Sequence, residues 1–178
     1  QSMNMRFRRI GVYRQTEQQD TEQVSGALCW DGREDASRIM SERVTAVVVN
    51  WNAGAHLARC VDGLLAQQGV ALNVVVVDTA SSDGSLGLLA QYRDAVQVVQ
   101  TGENLGFGRA ANRGVAASEG DLVLVLNPDV VLAPDAVRLL VNFLDTHPEV
   151  GIVGPRLKDA KGRVRATCGL APRLIDEI

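Results

Sequence analysis

From residue 44 onward, short apolar runs rich in β-branched residues alternate with segments whose apolar residues recur at helical spacing. The runs are apolar at consecutive positions, which is typical of strands that are buried on both faces of a sheet. The predicted strands are residues 44–49, 72–77, 96–99, 122–126 and 150–153. Strands that alternate with helices indicate an α/β fold, in which a mostly parallel sheet carries helices on both faces.

Apolar spacings of three and four residues predict one helix in each of the four segments between these strands. The first helix covers residues 55–67, Ser82 or Asp83 can cap the second, and Pro134 suits the first turn of the last. A hairpin is predicted across residues 158–164. The apolar residues that mark the helices are Leu57, Val61, Leu64, Leu65, Leu86, Leu89, Tyr92, Phe107, Ala111, Val115, Val137, Leu140, Phe143 and Leu144.

Residues 1–43 differ in composition from the domain predicted over residues 44–178. They are rich in Gln, Glu, Arg and Asp and show no sustained period. The opening Gln-Ser-Met resembles a tag remnant. We expect a weakly ordered extension or a small edge element, with RRIGVYR as its one candidate strand.

Composition argues against several classes of protein. The net charge of −3 does not predict a nucleic-acid partner, and apolar runs of about six residues fall short of the roughly 20 that span a bilayer. Cys29, Cys60 and Cys168 fit neither a disulfide framework nor a zinc pattern, which favours a cytoplasmic location. His56 and His147 lie near predicted helix ends without a partner motif, and we interpret both as surface or packing residues.

Ligands of folds in this class bind beyond the carboxyl ends of the parallel strands. Four polar loops occupy those positions: residues 50–52, 78–83, 101–107 and 127–129. Carboxylates that share one crevice repel each other unless a cation lies between them. Asn127-Pro128-Asp129 therefore has two interpretations, a plain turn or a site in which Asp129 and substrate phosphates hold a hard cation.

A dinucleotide-binding motif is an alternative interpretation of the third loop. Residues 106–111 match GxGxxA, and Asp129 follows about 20 residues later, as in an NAD-dependent oxidoreductase. That motif belongs after the first strand of the fold, whereas here it follows the third predicted strand. The context therefore argues against a dehydrogenase.

Four segments in this order, VVVNWN, VVVDTASSDGS, ENLGFGRAANRG and LVLNPD, resemble glycosyltransferase family 2, and within it the rhamnosyltransferase-like members. The resemblance covers about residues 44–172. It implies a GT-A fold, which is a Rossmann-like domain that binds a nucleotide-diphospho-sugar. It also implies an inverting sugar transfer that depends on Mg²⁺ or Mn²⁺.

The resemblance assigns roles to individual residues. Asp78 matches the acid that contacts the nucleoside, and Thr79 departs from the Asp or Asn that is usual beside it. Asn127 and Asp129 match the DxD motif, with Asn in place of the first Asp, so Asp129 is the predicted metal ligand. The residues assigned to donor binding are Val49, Asn50, Asn52, Asp78, Thr79, Asp83, Asn104, Gly106, Phe107, Asn112 and Asn127.

The family's acceptor half and its general base have no counterpart before Ile178, and the acidic pair Asp176-Glu177 lacks the segment that should precede it. We therefore expect a donor-binding half without a catalytic base. The implied partners are a dTDP- or UDP-linked sugar such as rhamnose and a glycan or lipid-linked acceptor. A homodimer and peripheral association of the full-length protein with the inner face of the plasma membrane are further expectations. A non-catalytic nucleotide-sugar binding or dimerisation module is the alternative.

Overall fold

Strands and helices alternate along the chain in the structure, a computed structural model that describes residues 10–14, 43–159 and 161–165. Cys29, Cys168, Asp176 and Glu177 lie outside the described residues. Within these ranges, none of the helices combines the length and the apolar character that crossing a bilayer requires. The elements are β1 (Ile10–Arg14), β2 (Arg43–Asn50), α1 (Ala55–Leu65), β3 (Ala71–Asp78), 3₁₀ segments (Ser85–Gln91 and Arg93–Ala95), β4 (Val96–Gln100), α2 (Gly106–Ala116), β5 (Leu122–Leu126), α3 (Ala136–Thr146), β6 (Ile152–Val153), β7 (Leu157–Lys158) and β8 (Val164–Arg165).

The main sheet has six strands in the order β4-β3-β2-β5-β1-β6. The first four are parallel, which confirms the predicted sheet, and β1 runs antiparallel to both β5 and β6. The chain leaves β2 towards β3 on one side, and β5 lies on the other side. The carboxyl ends of β2 and β5 therefore flank the topological switch point, where ligands of such folds bind.

Helices cover both faces of the sheet, as predicted. On one face, α1 and α3 pack against alternate residues of β2 and β5, including Val44, Val48 and Leu124. On the other face, α2 packs against the intervening residues, such as Val47 and Val125. Because both faces are covered, successive positions of these strands are apolar, and all five residues of β5 are buried.

Several predicted details are wrong. The segment expected to be the second helix is 3₁₀. Of the candidate strand RRIGVYR, residues Ile10–Arg14 form β1, which lies between β5 and β6. Phe143 was expected to face the core but is 41% exposed and stacks on the His147 ring. Val141 is fully buried in its place, because the buried face of α3 runs through residues 137, 140, 141 and 144. The predicted hairpin is confirmed as β7 and β8.

Candidate functional site

A cleft of about 560 Å³ lies at the carboxyl ends of the parallel strands. The loops that follow β2, β3, β4 and β5 all contribute to it, as the strand-end rule predicts. Eight of the residues predicted to form a site line this cleft: Val49, Asn52, Thr79, Asn104, Gly106, Phe107, Asn127 and Asp129. The structure therefore brings together residues from all four predicted loops.

Asn50 and Asp78 are buried and are not among the lining residues. They end paired strands and face each other in register. Asn50 Nδ2 donates to Asp78 Oδ1 at 2.8 Å and also lies 3.0 Å from Ser85 Oγ. Asp78 Oδ2 accepts from the Ser81 amide at 3.1 Å, and both the amide and the hydroxyl of Thr79 donate to the Asn50 carbonyl. These bonds connect the β2 and β3 loops, while contact between Asp78 and a nucleoside stays a prediction.

Asp83 is an exposed residue that connects two helical segments outside the cleft. Its carboxylate accepts from the Gly54 amide at 2.7 Å, at the start of α1. It also accepts from the Ser85 amide at 3.0 Å, at the start of the 3₁₀ segment. Hydrogen bonds from Ser85, and then from Gly54, lower the pKa of Asp83. The predicted capping role fits this geometry, and a direct role in donor binding stays a prediction.

The cleft wall at the start of α2 contains Asn104, Gly106 and Phe107. Asn104 Oδ1 accepts from the Gly106 amide at 2.9 Å. Gly106 has a φ of 69°, a left-handed conformation that glycine adopts without strain. Asn112 lies further along α2, is exposed and does not line the cleft. The beginning of α2, and not its middle, therefore contacts the cleft.

Asn127 and Asp129 line the cleft from the loop that follows β5. The loop is a turn in which the Val130 amide donates to the Asn127 carbonyl at 3.4 Å. Below it, the Cys60 thiol donates to the same carbonyl at 3.8 Å. Burial, and then the charge of Asp129, raise the pKa of Cys60 to about 12. The tripeptide thus forms a turn whose Asp129 lines the cleft. A turn and a cation site are therefore compatible interpretations of Asn127-Pro128-Asp129.

The donor set of the cleft constrains the kind of metal that it can hold. Among the described residues, no three His, Cys, Asp or Glu side chains come together to form a metal cage. A structural zinc site needs such a cage. One carboxylate, Asp129, beside the amide of Asn127 fits a hard cation that completes its shell with water and phosphate oxygens.

Residues 45–168 match the family model for glycosyl transferase family 2, which is more than half of the chain. The chain belongs to this family. A relative of this chain is the N-acetylglucosaminyl-diphospho-decaprenol L-rhamnosyltransferase of Mycobacterium tuberculosis, which is 31% identical over 147 residues. The alignment covers 76% of this chain and 48% of the relative, so the chain spans about half of that protein's length.

Solved structures of glycosyltransferases share the fold. TarS from S. aureus in complex with UDP has a TM-score of 0.55 and 25% identity, covering 60% of this chain and 33% of that chain. Mannosyltransferase PcManGT from Pyrobaculum calidifontis, in complex with GDP-Man and Mn²⁺, has a TM-score of 0.56 and 26% identity. The match covers 66% of this chain and 36% of that chain. This family 2 domain therefore has the GT-A fold, and the NAD-dependent oxidoreductase interpretation is not favoured.

Sequence reasoning missed part of the cleft of this family 2 domain. Trp51, Ala53, His56 and Pro128 also line it, and Trp51 is 58% exposed. The interpretation of His56 as a surface or packing residue overlooked this position. The available signal was its spacing of four residues from Cys60, which places both side chains on one face of α1.

Proposed function

We propose that the cleft binds the nucleoside diphosphate of an activated sugar, and that the whole protein transfers the sugar, with inversion, to a glycan or lipid-linked acceptor. The observation that carries this proposal is the position of Asp129. By the resemblance, Asp129 corresponds to the second Asp of the family's DxD motif, and it lines the same cleft as Asn52, Thr79 and Phe107. We therefore assign donor binding to residues that the structure describes, and sugar transfer to the whole protein.

The proposed donor is a dTDP- or UDP-linked sugar, with rhamnose as the favoured sugar. The support is the identity of 31% to a relative that is an L-rhamnosyltransferase. Solved neighbours contain UDP in one case and GDP-Man in the other, so the fold accommodates different bases. Thr79, which stands where the family usually has Asp or Asn, is the residue that we expect to influence the choice of base.

The proposed cation is Mg²⁺ or Mn²⁺, held by Asp129 with Asn127 beside it. When bound, such a cation stabilises the charge that develops on the leaving diphosphate. Asn127 is neutral, so the protein contributes one formal charge fewer than a DxD pair of aspartates. The bonds between Asn50, Asp78 and Ser81 hold the β2 and β3 loops in place, which reduces the entropic cost of ordering them around a donor.

Calorimetric titration of UDP and dTDP, each with Mg²⁺, with Mn²⁺ or with EDTA, tests the proposal. We expect binding that the cation strengthens and that Asp129→Asn weakens by at least about tenfold in the presence of the cation. Asp121→Asn is the matched control, because Asp121 precedes β5 at the opposite end of the same strand. Equal affinity of wild type and Asp129→Asn would contradict the metal assignment. Failure to bind either nucleotide would favour a structural module, and binding of NAD in a parallel titration would favour the oxidoreductase.

A further inference from the structure

His56 contributes to the cleft from the first turn of α1. It lies four residues before Cys60, so the two side chains share one face of the helix. Cys60 contacts the Asn127 carbonyl, and a Cβ built on Gly63 would lie 3.7 Å from the Leu132 amide nitrogen. This face of α1 therefore runs along the segment from residue 127 to residue 132, and His56 forms its end at the cleft.

Arg59 determines which nitrogen of the His56 ring carries the proton. Arg59 Nη2 lies 3.0 Å from His56 Nδ1. A guanidinium group has donors and no acceptor, so Nδ1 must accept this bond. Nε2–H is then the ring donor that remains for a ligand in the cleft.

The sheet order indicates which part of a donor His56 reaches. β3 and β5 lie on opposite sides of β2. The Asn50–Asp78 contact joins the β2 and β3 ends, and Asp78 is the residue that the family resemblance links to the nucleoside. His56 lies instead with the loop after β5, which contains Asp129. If Asp129 holds the cation as proposed, the phosphates of a donor would lie on that side, and an anionic oxygen is a strong acceptor for a ring N–H.

We propose that His56 is a donor-binding residue whose Nε2–H donates to an oxygen of the phosphate that carries the sugar, and that Arg59 is its positioning residue. This inference rests on the proposed function, because it requires a nucleoside diphosphate in the cleft. It adds a contact, made by the protein itself, to a phosphate that would otherwise be held through the cation.

Paired titrations with a diphosphate and its monophosphate test the contact. The probes are UDP with UMP, and dTDP with dTMP, each with Mg²⁺. His56→Ala should weaken diphosphate binding by about tenfold, the usual range for a hydrogen bond to a charged group, and leave monophosphate binding unchanged. His56→Gln, which keeps a side-chain N–H donor, should recover part of the loss. His147→Ala is the control, because His147 lies at the end of α3 and not in the cleft.

Each outcome separates this inference from the proposed function. If wild type binds neither diphosphate, the proposed function fails. If wild type binds and His56→Ala binds equally well, or loses diphosphate and monophosphate equally, the phosphate contact is wrong while the donor site stands.

A double-mutant cycle and ring NMR test Arg59. Arg59→Ala should weaken diphosphate binding in the wild-type background and have no effect in the His56→Ala background. In ¹⁵N spectra of the His56 ring, the Nε2–H tautomer of wild type should give way to a mixture in Arg59→Ala. A similar loss in both backgrounds, or an unchanged tautomer, would refute the positioning role.

Discussion

Gly114 is the position where α2 approaches the sheet most closely, and its substitution by alanine is a sharp test of the packing. An added Cβ would overlap Val47 Cγ1 and would lie 3.0 Å from Val77 Cγ2. Both valines are completely buried in the middle of the parallel sheet. Their branched side chains have few alternative rotamers, so neither can move away at low cost.

The size of the effect follows from two opposing contributions. Overpacking of a well-packed core costs about 1–3 kcal/mol, and the contacts at Gly114 favour the upper end of that range. Alanine in a helix interior is about 1 kcal/mol more stabilising than glycine, which offsets part of this cost. We therefore expect Gly114→Ala to lower the free energy of unfolding by about 2 kcal/mol, which corresponds to a Tm decrease of about 4–8 °C for a chain of this size.

Thermal unfolding followed by circular dichroism measures this effect, with Gly108→Ala as the matched control. Gly108 lies in the same helix, but nothing approaches within 4 Å of its Cβ position. The control should therefore raise the Tm by about 2–4 °C through helix propensity alone. If Gly114→Ala unfolds at or above the wild-type temperature, or matches Gly108→Ala, the close approach of α2 to β2 and β3 is wrong.

Two further predictions concern ionisable side chains outside this contact. Hydrogen bonds hold the pKa of Asp83 below its ordinary 3.8, so its contribution to stability is present above that value and disappears as the pH falls through the folded pKa. The Tm difference between wild type and Asp83→Asn should thus shrink as the pH is lowered from 7 to about 3, and a constant difference would contradict the assigned bonds. With a pKa of about 12, the buried Cys60 thiol stays neutral at pH 8, so iodoacetamide should modify it only after unfolding in guanidinium. Peptide mapping checks this, and rapid modification of Cys60 in the folded protein would show that the thiol is accessible.

The strands of this fold could be predicted because their sequences are continuous apolar runs. Residues 44–49 and 122–126 carry that pattern, and β2 differs from the prediction only by one residue at each end. The type of the second helix was harder to predict. Its apolar residues Leu86, Leu89 and Tyr92 are spaced by three, which is the 3₁₀ period, although the segment had been assigned as an ordinary helix.

The sequence predicted which loops form the cleft, because the order of the strands alone determines that. The strand-end rule identified the loops, but it did not show which side chains of each loop face inward. Asn50 and Asp78 end their strands as expected, yet they are buried and bond to each other, whereas Trp51 between two predicted asparagines is exposed in the cleft. His56 illustrates the same limit, since its spacing from Cys60 indicates a shared helix face, but the packing of α1 against the β5 loop is needed to show that this face reaches the cleft.

The antiparallel strand β1 has a consequence for the order in which this protein folds. β1 is synthesised first, but its partner β5 follows roughly 110 residues later, and ribosomes add about 5–20 residues per second. For several seconds at least, a β-forming segment must therefore remain without its native neighbour while α1, α2 and the three preceding parallel strands emerge. The pairing of β1 with β5 and β6 is a contact of high sequence separation, and such contacts slow folding. Completion of the sheet on this side is thus expected to be a late event, after the strands that frame the cleft have assembled.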